Sequence, residues 1–143
     1  IDAQMRGTVQ GAVNAVQAVL PSFEAQKYGK VINVGTNLVY SPVVTYYDYS
    51  AAKAALVSLT RNLAAELGPL GVRVNLVAGG LLERTDASSL TTDEVFGYVA
   101  GATPLRKTTT VKDFAKACVF FAAEASDAMT GQSLSVDGGL TMP

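Results

Sequence analysis

"VINVG", residues 31–35, is a short β-branched run that ends in glycine and follows the turn-like "KYGK". A nearly unbroken apolar run of this length suits a strand buried on both faces, as in a parallel sheet. Further on, "VRVNLV" (72–77) alternates and is β-branched, so it reads as a second strand, closed by "AGG". Between the two, "SAAKAALVSLTRNLAAELG" (50–68) is a run of good helix formers that stops at a glycine. Upstream, Met5, Val9, Val13, Val16 and Val19 recur at helical spacing over residues 2–19, and the proline of "LPS" predicts the end of that helix. Downstream, "TVKDFAKACVFFAAEAS" (110–126) reads as a helix capped by Thr110 and Asp113, and "SLSVDGG" (133–139) as a third strand and turn. Helices alternating with strands imply a parallel sheet with right-handed crossovers.

Residues 81–110 break the alternation. They are polar and turn-rich, with one short helix in "TTDEVFGYVAG", where Thr91 and Glu94 have capping-box spacing. A segment this long between regular elements reads as a lid over a ligand site. The features that suggest chemistry all follow strands, at the carboxyl ends where open α/β sheets bind ligands.

Composition excludes several classes. A chain of 143 residues, 49% hydrophobic and 16% charged, is one globular domain's worth. With a net charge of −1 and scattered lysines and arginines, it has no basic stripe to neutralise a phosphate backbone, which argues against nucleic acid. No apolar run reaches the roughly 18 residues of a membrane span, and "IDAQMRGTVQ" does not resemble a secretory leader, so the reading is cytoplasmic. The one cysteine, Cys118, lies in an apolar helical pattern and reads as a core residue. There is no histidine, which removes the commonest general base and the commonest metal ligand, and no metal site is assigned. Acid–base chemistry falls to Tyr, Lys, Asp, Glu, Ser or Thr.

"VVTYYDYSAAKAAL" (43–56) carries three tyrosines, Tyr46, Tyr47 and Tyr49, ahead of Lys53. Tyr49 and Lys53 stand four apart and share a helix face. An ammonium group near a phenol favours the phenolate and brings its pKa toward the range where it exchanges a proton with a carbonyl or alcohol oxygen. Tyr46, seven before the lysine, is the competing acid.

"GKVINVGTNLVYSPVVTYYDYSAAKAALVSLTRNLAAELGPLGVRVNLVAGG", together with the terminal "TGQSLSVDGG", resembles the catalytic half of the short-chain dehydrogenase/reductases, and most closely the 3-oxoacyl-acyl-carrier-protein reductases of fatty acid biosynthesis. The resemblance covers nearly the whole of residues 1–143. It implies an α/β fold, the C-terminal half of a Rossmann-type doubly wound parallel sheet, and hydride transfer between NADPH or NADH and a carbonyl. It makes Tyr49 the proton donor, Lys53 the residue that lowers its pKa and holds the nicotinamide ribose, and Thr36 the hydroxyl on the substrate oxygen, where the family usually has serine. Gln4 matches the asparagine of the family's proton relay. Gly79, Gly80, Leu82 and Thr85 fall in the loop at the nicotinamide end of the cofactor, with Gly79 replacing the family's proline and Thr85 displaced by a residue. Asn75, inside its strand, reads as structural.

Thr36, Tyr46, Leu81 and Phe96 are the candidate substrate contacts, with Leu82, Val95 and Tyr98 as further apolar lid residues. The alternative for the lid residues is that they only fix the lid to the core. Tyr46 and Tyr47 read as pocket wall, since an aromatic body with a polar tip suits the edge of an apolar site. Arg84, Arg106 and Lys107 are the candidate contacts for an acyl carrier protein, with ordinary solvated surface charge as the alternative for each. The helices 2–19 and 50–67 suit the two-fold interfaces of a homotetramer or homodimer. No Gly-rich turn for the adenosine end of the cofactor occurs, so the sequence reads as the C-terminal part of a longer polypeptide. Two alternatives stand beside ketone reduction. Enoyl-acyl-carrier-protein reductases place their tyrosine seven residues before the lysine, as Tyr46 is placed, and the fold also serves as a binding or scaffold module without turnover.

Overall fold

The computed structural model describes residues 1–143. It begins with a short helix, α1 (Asp2–Met5), which passes through a π turn at Arg6–Gln10 into α2 (Gly11–Gln26). Three strands follow, β1 (Gly29–Thr36), β2 (Val72–Gly79) and β3 (Ser133–Val136), with α3 (Tyr47–Leu67) between the first two. Between β2 and β3 lie α4 (Asp93–Ala102) and α5 (Val111–Ala122). The strands are parallel in the order β1-β2-β3. No helix is long and apolar enough to cross a membrane.

The central strand explains the architecture. Val74, Leu76, Val77 and Ala78 of β2 are wholly buried, so both of its faces are covered. On one face, α2 and α3 bring Val16, Ala64 and Leu67 onto Val72 and Val74, and Leu56 and Val57 onto Leu76 and Ala78. On the other, α5 packs along the sheet, with Phe121 buried and Phe114 against Gly79. Burying each large aliphatic side chain contributes roughly 1.5–3 kcal/mol, and this two-sided covering selects the parallel arrangement.

The register aligns the strand ends. Thr36 stands opposite Gly79, and Gly79 opposite Val136, so the three chains leave the sheet at one level. Asn75 ties the edge of the sheet together: its Nδ2 donates to the Met129 carbonyl at 3.0 Å and its Oδ1 accepts from the Gln132 amide at 3.0 Å.

Three sequence expectations are corrected here. The first helix does not stop at Pro21 but runs to Gln26, where Lys27 adopts a left-handed φ of 57°. An internal proline costs about 3 kcal/mol, offset because the last turn delivers Phe23 to the core beside Val16 and Leu67. Gly29 accommodates that ring, since a Cβ there would lie 2.4 Å from it. The π turn was not legible from the periodic valines. The third helix begins at Tyr47 rather than Ser50, so Tyr47 and Tyr49 stand within its first turn and Tyr46 at its N-cap. The cap of α4 is Thr92, whose side chain accepts from the Val95 amide, rather than a Thr91–Glu94 box. At α5, Thr110 and Asp113 form a reciprocal capping box.

Candidate active site

The loop that leaves β1 turns through a 3₁₀ segment, Asn37–Val39, and returns at Tyr46 to start α3. This hairpin of strand, turn and helix brings Thr36, Tyr49 and Lys53 to the carboxyl end of β1. Thr36 is nearly buried, and its Oγ1 accepts from the Leu38 amide at 3.3 Å, which leaves its O–H free to donate. Tyr46 sets its ring edge against Tyr49 with centroids 5.0 Å apart.

Burial dominates the electrostatics of the Tyr49–Lys53 pair. Burial pushes the Tyr49 phenol above its ordinary pKa, the neighbouring Thr36 hydroxyl draws it down, and Tyr46 pushes it up again. Lys53 stands beside it. Its ammonium sits 5.7 Å from the Tyr49 ring centroid and donates to the Val34 carbonyl at 2.7 Å. Burial lowers the pKa of Lys53 itself, as desolvation of an ammonium must.

A cavity of about 430 Å³ opens beside this group, within the size range of small-molecule sites. Thr36, Tyr46, Tyr49, Gly80 and Leu81 line it, as do Val95 and Val99 of α4. The remaining predicted residues lie outside its walls. Gln4, on α1, is half-buried and makes no hydrogen bond to Tyr49 or Lys53. Gly79 faces Phe114, Leu82 bridges to Thr109, and Thr85 bonds Ser88 in a tight turn. Phe96 is half-buried away from the cavity, while Tyr47 and Tyr98 are exposed. The Arg106 guanidinium is committed to the Gly101 and Thr103 carbonyls. A second cleft of about 560 Å³ runs from Lys107 and Lys116 to Asp137–Gly139, and none of the hydroxyl and ammonium groups of the first site reaches it.

Sequence reasoning missed Asn37, Val43, Val44, Val99 and Leu140 in the cavity wall. Val99 was within reach, since it stands one helical turn after Val95. Leu140 had no local signal, because only the folded tail carries it to the site.

The residues present fit one end of a nicotinamide nucleotide. Lys53 uses one of three N–H donors on Val34, and the other two, with the Tyr49 phenol, suit the hydroxyls of a ribose. Tyr49 and Lys53 could hold that end, with Gly80, which the resemblance assigns to the same end, in the adjoining cavity wall.

Parallel strands wound by helices on both faces, with hydroxyl and ammonium groups gathered at their carboxyl ends, define a Rossmann-type α/β protein. Residues 1–141 match the family model described as enoyl-(acyl carrier protein) reductase, and the chain belongs to that family, within the short-chain dehydrogenase/reductase superfamily. It is 31% identical over 127 residues to the 3-oxoacyl-[acyl-carrier-protein] reductase FabG of Buchnera aphidicola subsp. Baizongia pistaciae, covering 89% of this chain and 51% of that protein. To a cyclohexanol dehydrogenase of Rhodococcus sp. (strain TK6) it is 32% identical over 143 residues, covering 99% of this chain and 53% of that protein. A gluconate 5-dehydrogenase from Burkholderia cenocepacia, solved in complex with NADP and tartrate, superposes with a TM-score of 0.88 at 31% identity. That alignment covers 95% of this chain and 54% of the other. The chain thus spans about half the length of the relatives it matches.

Proposed function

We propose that the protein reduces a carbonyl to an alcohol at the expense of NADPH or NADH, and that the carbonyl is that of a 3-oxoacyl thioester. One observation carries the reading: Tyr49 and Thr36 line the same largely apolar cavity. Tyr49, kept protonated by burial, delivers the proton to the substrate oxygen. Thr36, its oxygen held by the Leu38 amide, donates to the same oxygen as negative charge develops there. Lys53 binds the ribose hydroxyls and so orients the cofactor, which when bound supplies the hydride. Leu81, Val95 and Val99 exclude water and hold the apolar part of the substrate.

A second reading keeps Tyr46 as the acid for an enoyl thioester, supported by its place in the same cavity wall. The comparison of Tyr49→Phe with Tyr46→Phe on both substrates separates the two. Tyr49→Phe is expected to slow ketone reduction about 10²–10⁴-fold, with Tyr46→Phe close to wild type. Ketone reduction undiminished by Tyr49→Phe would exclude this assignment, and enoyl reduction abolished by Tyr46→Phe would establish the alternative.

A further inference from the structure

We propose that Asn37 is a specificity-determining residue of this cavity, accepting a hydrogen bond from an O–H or N–H group that the substrate carries near its reacting carbonyl. The assignment takes the carbonyl-reduction reading of the same cavity as given. It begins from register. With Thr36 level with Gly79 and Gly79 level with Val136, the next residues out of the sheet, Asn37, Gly80 and Asp137, lie side by side. Gly80 must be glycine for its neighbours to meet across it, because a Cβ there would lie 2.9 Å from Asn37 Nδ2 and 3.2 Å from Asp137 Cβ. Across that gap Asn37 Nδ2 donates to Asp137 Oδ2 at 3.0 Å.

Asp137 fixes which way the amide points. Its Oδ2 also accepts from the Thr141 amide at 3.1 Å and the Thr141 hydroxyl at 2.6 Å, and its Oδ1 from the Gly139 amide at 3.2 Å. A carboxylate only accepts, so the NH₂ of Asn37 faces it and Oδ1 is turned away. That oxygen receives no hydrogen bond from the chain and is not enclosed, so it is reached from the cavity whose wall Asn37 forms next to Thr36. An acceptor that water reaches loses that partner when a ligand fills the cavity, so the site favours a ligand that supplies a donor over an isostere that does not. Two substrate features meet the requirement: a hydroxyl on the carbon beside the ketone, or the amide N–H in the arm of an acyl thioester.

Binding of matched pairs to the full-length protein tests the assignment by ligand-observed NMR. One pair is the 3-oxobutyryl thioester of N-acetylcysteamine and an S-pentyl thioester without the amide; the other is 3-hydroxy-2-butanone and 2-butanone. The donor-bearing member of one pair is expected to bind about ten-fold more tightly, and the advantage to fall to about two-fold or less in Asn37→Leu. Which pair discriminates identifies the source of the donor. Equal binding within both pairs, or an advantage that survives in Asn37→Leu, overturns the assignment. Should Asn37→Leu fail to fold, Asn37→Ala takes its place and the wild-type ratios still decide. Turnover is read separately: discrimination in binding without nucleotide-dependent reduction counts against carbonyl reduction while supporting the role of Asn37.

Discussion

The Lys53 ammonium donates to the Val34 carbonyl at the unpaired edge of β1. The edge follows from strand parity. The Gly29 amide bonds the Gly71 carbonyl on the β2 side, so Val31, Asn33 and Gly35 also point toward β2, whereas Val34 points away from it. Lys53 therefore occupies a backbone acceptor that a further strand on that edge would claim.

This arrangement predicts a split response in Lys53→Met. Carbonyl reduction should fall by about two orders of magnitude, through loss of the group proposed to orient the ribose. In the nucleotide-free protein the titration of Tyr49, followed by NMR of ring-labelled tyrosine, should stay where it is. A rise in the Tyr49 pKa on losing the ammonium would show that Lys53 already acts on the phenol.

Thr36 is expected to contribute through its O–H and not its methyl group. Thr36→Val should lower kcat about 10²-fold with KM little changed, because the interaction strengthens only as charge develops on the substrate oxygen. Thr36→Ser should remain within about a few-fold of wild type. Steady-state kinetics on one ketone separates the outcomes, and equal losses in both variants would point to packing.

The strands and the tyrosine–lysine pair were legible because each rests on local spacing: β-branched runs for β1 and β2, and four residues for Tyr49 and Lys53. Long-range facts were not. The hold of Val34 on Lys53 depends on which way one carbonyl faces, and the Asn37–Asp137 bond on a register spanning the whole chain. Pro21 misled because a local rule gave way to burial of Phe23. The loop residues Leu82 and Thr85 were placed by resemblance, yet their bonds to Thr109 and Ser88 depend on how the segment folds back on itself.

Asn75 joins β2 to the approach of β3 through both ends of its amide, and it is 1% exposed. Asn75→Ala leaves the Met129 carbonyl and the Gln132 amide without that partner. A loss of about 2–4 kcal/mol in urea unfolding is expected. A change under about 0.5 kcal/mol, the range of ordinary surface substitutions, would mean that water replaces the amide at no cost.

At the amino end of the sheet, the Tyr28 hydroxyl donates to Asp127 Oδ1 at 2.7 Å, and Lys30 Nζ lies 2.9 Å from the same oxygen. The Tyr28 hydrogen bond, then Lys30, hold the Asp127 pKa below its ordinary value. That contribution to stability is complete above the unfolded carboxylate pKa and is lost as pH falls through the folded one. The same bond to Asp127, then burial, raise the Tyr28 pKa, so its contribution is complete below the unfolded tyrosine pKa and is lost as pH rises through the folded one. Tyr28→Phe should therefore lower Tm at neutral pH and flatten its decline at both extremes. Melting curves across the pH range check this, and wild-type and variant profiles that run parallel would show that the pair contributes nothing to the pH dependence of stability.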